Sequence, residues 1–406
     1  MNLLKPLFVF YLIANGLGFS VFVARGTIVS WYILEKTNST LLVGLITSIP
    51  TMTLPILGPL GGRLADSFPR EKIFFYARFV IFIVMILMAF FINLNYFAIL
   101  FLVIFSIFFG LTSSIENAST QNLLIDILGV ENISKGNGYK ELFNSSLNAV
   151  LPVTIGLFLT IISSSLIFWT LPIIGFFALI FGYLTFLNFK PTNNIQTIDQ
   201  SFSEVTVKDA FGYVKKNKNI SILLLLGFGM MVFWAFPQPL LPSYSKDVLG
   251  LQGSGYAILN GLYFAGSMIG SLLITFSLIK IKKSSILFYS ALFFSIFYIL
   301  LYNSQSPLIS GVLILASGVS HSIWWISMLV YLQTISDEKY KGRVVGFYFS
   351  LLISVSIGSI AGGLIAEFIG IKSTVYIAMG LLMLIHTVAF IPSNFRKLNL
   401  LEKESY

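Results

Sequence analysis

Apolar runs of 18 to 28 residues follow one another along nearly the whole chain of 406 residues. They lie at about 7–34, 40–64, 73–92, 97–122, 138–163, 166–188, 220–244, 253–279, 285–302, 307–333, 344–368 and 373–392. A helix needs about 20 apolar residues to cross roughly 30 Å of bilayer hydrocarbon. A helix also satisfies its own backbone hydrogen bonds, which hydrocarbon cannot do. The pattern therefore predicts an all-α membrane protein with twelve transmembrane helices.

The composition excludes an ordinary water-soluble domain. Only 10% of the residues are charged and 56% are hydrophobic, whereas about a quarter of a soluble domain is charged. Such a chain cannot cover a surface that faces water, but it can cover one that faces lipid tails. The formal net charge of +9 would suit nucleic acid, yet the positions of the basic residues explain it by topology. We expect membrane lipids, and no nucleic acid, as partners.

Basic residues are distributed unevenly between the two predicted sides of the membrane. If the N-terminus is cytoplasmic, 21 of the 25 Lys and Arg residues lie on or near the cytoplasmic side. Arg78 is counted there. The four outer ones are Arg25, Lys36, Lys246 and Lys372. Because cytoplasmic loops of membrane proteins are enriched in Lys and Arg, both termini are predicted to be cytoplasmic.

One substantial polar segment divides the twelve runs into two sets of six. We predict an N-terminal six-helix bundle at 1–188, a cytoplasmic linker at 189–219, a C-terminal six-helix bundle at 220–392 and a cytoplasmic tail at 393–406. Within the linker, residues 203–219 are rich in Lys. They fit either a basic amphipathic helix at the inner membrane surface or a flexible tether.

A charged turn between the second and third runs is the sharpest local motif. It reads Gly62-x-Leu64-Ala65-Asp66-x-x-x-Arg70-x-Lys72. Glycine permits close approach of helices, and an Asp at a helix end can pair with a helix dipole or a basic side chain. The motif resembles the loop motif of the major facilitator superfamily, with Pro69 where Gly is usual. The alternative is an ordinary basic turn on the cytoplasmic side.

The resemblance implies a fold and an activity. Members of this superfamily have two six-helix bundles, with a cavity lined by spans one, four, seven and ten, and they transport small molecules by alternating access. For Gly62, Asp66, Arg70 and Lys72 it implies a gating loop, in which Asp66 and Arg70 form a charge lock near the eleventh helix. The stretches 37–62 and 335–344 also resemble macrolide and siderophore exporters, which implies export in exchange for protons.

The fifth run contains a proline that predicts a bend. Pro152 removes one helical hydrogen bond, and Gly156 follows it one turn later. The stretch around them resembles the fifth-helix motif of antiporters, with Leu151 where Gly is usual. We therefore predict a helix kink at Pro152 and Gly156 that belongs to an antiporter. An ordinary kinked span is the alternative.

Two ionisable residues inside apolar runs are candidates for binding substrate or protons, because a charge in hydrocarbon is costly. Arg25 lies late in the first run, and its alternative role is to reach the membrane interface with its long side chain. Glu116 lies late in the fourth run, in a stretch of small polar residues that suits a wet cavity. Its alternative role is a structural hydrogen bond. The two are predicted not to pair.

Aromatic residues in the second half suggest a substrate-binding wall. His321 lies near the middle of the tenth run, and Trp324 shares a helix face with it at a spacing of three residues. Trp234 in the seventh run is a further candidate. Such rings suit a lipophilic, planar or cationic compound. The alternative is a packed aromatic cluster. His386 in the last run has no evident partner in the sequence.

These patterns together lead to a prediction of function. We predict a secondary transporter of the inner (plasma) membrane that exports a small amphipathic compound, such as a drug, siderophore or metabolite, coupled to protons. The alternatives are an uptake or facilitative carrier and a membrane sensor that transports nothing. We find no Cys, P-loop, nucleophile elbow or paired His–carboxylate spacing for a metal. We therefore expect no enzyme activity, no cofactor, no metal and a monomer.

Overall fold

The computed structural model describes residues 6–94, 97–129, 133–189, 206–276 and 283–390. For residues 54–67, and for a few positions elsewhere in the helices, only the backbone is described. Within these ranges the chain is helical, with no strand. The predicted tail at 393–406 and residues 190–205 of the predicted linker lie outside them.

The first six helices correspond to the first six apolar runs. They are α1 (Pro6–Thr37), α2 (Thr40–Ser67), α3 (Arg70–Asn93), α4 (Ala98–Leu128), α5 (Ile133–Phe158) and α6 (Thr170–Asn188). Gly129 ends α4 with a φ of 77°, a left-handed conformation that Gly adopts without a Cβ clash. The fifth run was predicted to continue to residue 163, but α5 ends at Phe158.

The second half contains two short helices, α7 and α9, among longer ones. They are α7 (Val207–Lys216), α8 (Lys218–Ala235), the single turn α9 (Leu241–Ser243), α10 (Gly253–Thr275), α11 (Lys283–Asn303), α12 (Pro307–Ile335), α13 (Glu338–Ser350), α14 (Ile353–Ile369) and α15 (Ile371–Phe390). A π turn at Tyr244–Val248 follows α9. Gly370, with a φ of 81°, ends α14 in the same way as Gly129 ends α4.

The eleventh apolar run is not one continuous helix. It divides into α13 and α14 at Leu351 and Leu352, whose amides bond three residues back, to Tyr348 O and Phe349 O. The hydroxyl of Ser354 bonds to Leu351 O as well. The backbone therefore changes from α-helical to tighter, three-residue hydrogen bonding between α13 and α14.

Ten helical segments in the described part of the chain are long and apolar enough to cross a membrane. The other two predicted spans correspond to α2, whose described side chains end at Thr53, and to α5. The first half of α5 is polar, with Lys140, Glu141 and Asn144 among its residues. The prediction of an all-α membrane protein is confirmed.

Part of the predicted linker is a helix. Thr206 caps α7 by accepting a bond from the Asp209 amide, and the Asp209 carboxylate accepts one from the Thr206 amide in return. The hydrogen bond from the Thr206 hydroxyl holds the pKa of Asp209 below its ordinary value. Tyr213 stacks on Tyr340, with ring centroids 4.2 Å apart, and accepts a bond from the Asp337 amide. Of the two alternatives for this part of the linker, residues 207–216 therefore form a helix and not a flexible tether.

Contacts group the described residues into two compact units. The first comprises Met1–Thr192 with Pro239–Ala265, and the second comprises Asn193–Gln238 with Gly266–Tyr406. In the first unit, Asn260 of α10 donates a hydrogen bond to Thr27 of α1 at 2.7 Å. The division at the linker that the sequence suggested stays a prediction.

Glycines bring helices of the second unit into backbone contact. A Cβ at Gly266 would lie 2.0 Å from Leu315 O, and one at Gly270 would lie 2.5 Å from Val319 O. A Cβ at Gly358 would meet Val232 O at 2.0 Å. These distances leave no room for a methyl group. Small residues therefore set the α10–α12 and α8–α14 packing, as is usual for helices in lipid.

We predict that Gly358→Ala destabilises the protein, because its methyl group would push α14 away from the α8 backbone. Overpacking of this kind costs about 1–3 kcal/mol. Thermal unfolding of the purified protein measures the change. Gly380→Ala in α15 is the matched control, since a Cβ there meets nothing within 4 Å. Equal melting temperatures for the two variants would contradict the packing argument.

Candidate functional site

A buried ion pair joins α3 and α4 inside the first unit. Arg78 Nη2 lies 2.7 Å from Glu116 Oε1, and the two side chains are 2% and 12% exposed. The N–H bonds of Nη2 do not point at a hydrogen-bond acceptor, so the contact is an ion pair without an aligned hydrogen bond. An ion pair in so dry a place is held by mutual charge compensation.

Aromatic and hydroxyl side chains enclose the pair. The guanidinium of Arg78 lies over the ring of Phe74, 4.3 Å from its centroid. Tyr11 stacks on Phe74 and donates its hydroxyl hydrogen bond to Thr120 O. The Thr120 hydroxyl in turn bonds to Glu116 O, one turn back along α4. These contacts fix both helices around the charges.

Two glycines provide the space that Arg78 occupies. A Cβ at Gly18 of α1 would lie 1.9 Å from Arg78 Nη1, and one at Gly182 of α6 would lie 2.9 Å from Arg78 Cδ. Any larger residue at Gly18 would displace the guanidinium. Four helices, α1, α3, α4 and α6, therefore build this site together.

Arg78, counted among the basic residues on or near the cytoplasmic side, is a site residue that the sequence analysis did not identify. Arg78 is buried within α3, 3% exposed. It follows the start of α3 by about 12 Å of helix, and Glu116 precedes the end of α4 by about 18 Å, at a rise of 1.5 Å per residue. Opposite charges at similar depths in consecutive helices were the signal that would have predicted the pair.

Arg25 is the second buried cation of the first unit. It is 2% exposed, and its Nη2 donates to Ser106 Oγ of α4 at 3.1 Å. Its guanidinium lies 5.1 Å from the ring centroid of Phe109. The alternative role at the membrane interface is wrong, because the side chain packs into α4. Arg25 and Glu116 do not pair, as predicted.

Four rings form an aromatic cluster in the second unit. His321 stacks on Trp234, with centroids 4.9 Å apart and an interplanar angle of 13°. Phe294 and Trp325 lie 6.0 and 6.2 Å from the same imidazole. The helices α8, α11 and α12 therefore bring together Trp234 and His321, two candidates for the predicted aromatic wall. Whether the rings bind substrate or form only a packed cluster, the predicted alternative, stays open to test.

Trp324 does not belong to this cluster, so the expectation that it shares a face with His321 is wrong. Its indole Nε1 donates to His386 Nε2 of α15 at 3.2 Å, and its side chain is fully buried. At 100° per residue, a side chain three residues on, such as Trp324, points 60° away from His321, whereas one four residues on, such as Trp325, points only 40° away. Trp325 therefore lies nearer to His321.

His386 had no evident partner in the sequence, and the structure shows that it pairs with Trp324.

The predicted gating loop is only partly described. Gly62 and Asp66 fall in the last turns of α2, where side chains lie outside the described residues. Arg70 begins α3, and its Nη1 donates to both carboxylate oxygens of Asp126, at 2.8 and 3.0 Å. Lys72 is exposed. The partner of Arg70 is thus an Asp at the end of α4, which the resemblance did not imply.

Pro152 lies inside α5, as the sequence requires. Gly156 allows close packing of α5 on α10, since a Cβ there would lie 2.9 Å from Ser254 O. Gly261 of α10 is equally tight against Val153, at 2.4 Å. Gly156 therefore has a packing role, and the antiporter role of the kink stays a prediction.

The chemistry that these side chains offer is charge pairing, proton binding and aromatic contact. Within the described ranges, no three His, Asp or Glu side chains gather closely enough to hold a metal ion. Glu116 is a titratable carboxylate beside a permanent cation, and Arg25 is a permanent cation without a carboxylate partner among the described residues. Ionisable residues inside transmembrane helices are candidates for substrate or ion binding. The roles of Glu116 and Arg25 in binding stay predictions.

A comparison with known families decides the classification. The model described as "Major Facilitator Superfamily" matches residues 9–356. The chain belongs to the Major Facilitator Superfamily. It is a multi-pass membrane transporter and not an enzyme. The resemblance found in the gating loop is confirmed at the level of the superfamily.

Relatives and solved structures agree with this assignment. Macrolide efflux protein A of Streptococcus pyogenes is 25% identical over 384 residues, which cover 91% of this chain and 92% of that protein. The crystal structure of the nucleoside transporter NupG matches with a TM-score of 0.76 at 13% identity, covering 98% of this chain and 99% of that one. The D-xylose-proton symporter also matches with a TM-score of 0.76, at 14% identity and 94% and 96% coverage. These structures establish the fold alone.

We predict that Arg78→Gln is more destabilising than the double variant Arg78→Gln/Glu116→Gln. Removing one partner of a buried ion pair leaves an uncompensated charge, at a cost of about 3–5 kcal/mol, whereas removing both leaves none. Chemical or thermal unfolding in detergent measures the order of stabilities. A double variant less stable than the single one would refute charge compensation as the role of the pair.

We predict that Gly18→Ala weakens the ion pair by displacing Arg78, with a destabilisation of about 1–3 kcal/mol. The loss should be smaller in an Arg78→Gln background, because the shorter side chain vacates the space. Unfolding of the four proteins of this double-mutant cycle gives the coupling. Gly138→Ala, where a Cβ meets nothing within 4 Å, serves as the control. Additive effects of Gly18→Ala and Arg78→Gln would contradict the steric link.

Proposed function

We propose that this transporter exports a small amphipathic compound in exchange for protons, with Glu116 as the proton-binding carboxylate. The observation that carries the proposal is the buried Arg78–Glu116 ion pair. The neighbouring guanidinium of Arg78 stabilises the charged form of this carboxylate. When the pair separates, the carboxylate is left without compensation and takes up a proton, since burial disfavours its charged form.

The position of the pair suits a coupling role. Arg78 and Glu116 lie on different helices, and the pair is closed by α1 and α6 at Gly18 and Gly182. A small displacement of α3 along α4 would therefore open the contact. Proton uptake by Glu116 would then favour the state in which the pair is open, and this differential affinity is what couples binding to a change of conformation.

The compound itself would be recognised by aromatic contact. Trp234, His321 and Trp325 of the second unit are partly exposed rings that would contact a planar or lipophilic group. The relative that is called a macrolide efflux protein supports export as the direction. We place the protein in the inner (plasma) membrane, with both termini in the cytoplasm because of the distribution of basic residues. That it is a monomer stays a prediction.

The test is efflux of a panel of lipophilic dyes from cells that express the protein, with and without a protonophore. We expect export that stops when the protonophore collapses the proton gradient. Glu116→Gln should abolish this component, because the amide cannot bind and release a proton. Glu367→Gln, which removes an exposed carboxylate of α14, is the matched control and should export at the wild-type rate.

Three outcomes separate the alternatives. Export that persists in Glu116→Gln with its protonophore sensitivity intact would remove Glu116 from the coupling step. Dye accumulation driven by the wild type, in place of export, would make the protein an uptake carrier. Export by the wild type that ignores the protonophore would exclude proton coupling. Expression at the membrane is checked for every variant by immunoblot.

A further inference from the structure

We propose that Arg25 binds an anionic group of the transported compound, so that the substrates are amphipathic compounds bearing a carboxylate or a similar anion. That the bound anion is also transported rests on the proposed function. Its binding to Arg25 can be tested without transport. Arg25 lies in α1, and its site is built from α1 and α4 within the first unit.

The surroundings of Arg25 do not compensate its charge. Among the described residues its contacts are the neutral hydroxyl of Ser106 and the ring of Phe109. Its Nε is buried without a hydrogen-bond partner. A guanidinium offers five N–H donors in a planar fork, so most of its hydrogen-bonding capacity is unused here.

A comparison inside the same unit sharpens this point. Arg78 is equally buried, and it faces the carboxylate of Glu116 at 2.7 Å. Arg25 has no such carboxylate in the described part of the chain. A buried charge without a partner is strongly unfavourable, and an anionic ligand would supply the missing one.

A row of aromatic rings on α1 and α4 adjoins Arg25. Three rings lead toward the guanidinium: Phe19, which is 44% exposed, stacks on Phe22, and Phe22 stacks on Phe109. Centroids are 6.2 and 6.0 Å apart. Rings followed by a cation suit an aromatic compound with an anionic end.

The experiment measures binding of two dyes to the purified full-length protein by fluorescence anisotropy. Fluorescein and rhodamine 123 share a xanthene ring, but fluorescein is anionic and rhodamine 123 is cationic. We expect the wild type to bind fluorescein more tightly. Arg25→Gln should weaken fluorescein binding about tenfold or more, which corresponds to about 1.4 kcal/mol, and leave rhodamine 123 unchanged. Arg25→Lys keeps the charge and should lose less.

The matched control is Lys36→Gln, which removes an exposed basic charge from the last turn of the same helix. It should bind both dyes as the wild type does. The melting temperature of each variant shows that it is folded. A wild type without preference for fluorescein, or an Arg25→Gln variant that keeps the preference, would overturn the proposal.

Two further arms separate related explanations. If chloride, and not fluorescein, raises the melting temperature of the wild type through Arg25, the occupant is a free inorganic anion and the proposal is wrong. Binding also needs no proton gradient. Fluorescein binding that depends on Arg25, together with dye export that ignores the protonophore, would retain this inference and reject proton-coupled export. Fluorescein binding that does not depend on Arg25, together with dye export that stops with the protonophore, would reject this inference and retain proton-coupled export.

Discussion

The free-energy cost of an uncompensated charge away from water governs this molecule more than any other interaction. A chain with so few charges has placed three of them, Arg25, Arg78 and Glu116, inside apolar helices. Each needs a partner, because neither lipid nor apolar side chains can replace hydration. The helices of the first unit are consequently arranged around these charges, with glycine where the Arg78 side chain must pass and aromatic rings against each guanidinium.

The two arginines show how the same side chain can take different roles. The charge of Arg78 is compensated within the protein by Glu116. The strength of this pair depends on the position of α3 relative to α4 and on the protonation of Glu116. Arg25 is contacted only by a hydroxyl and a ring among the described residues, so an anionic ligand would supply the missing countercharge. Coupling and recognition would then use separate cations of one unit, and each could change without loss of the other.

Close backbone contact supplies the stability that apolar side chains cannot supply in lipid, where helices gain little by burying them. Gly266 and Gly270 admit the α12 backbone, and Gly358 admits the α8 backbone. These contacts hold α8 and α12 in position, and those two helices carry Trp234 and His321. The aromatic cluster therefore depends on glycines that have no chemistry of their own.

The sequence by itself determined the helices, the class of protein and the membership of the superfamily. Run length, charge depletion and the turn before Arg70 are local properties, and each helix satisfies its own backbone bonds. The division of the eleventh run was not evident, because the break at Leu351 and Leu352 carries no Pro or Gly to signal it. Only the tertiary structure decided which side chains meet: Arg78 with Glu116, Trp324 with His386, Arg70 with Asp126. Partners on different helices depend on rotation and relative depth, and a displacement of one residue along a helix turns a side chain by 100°.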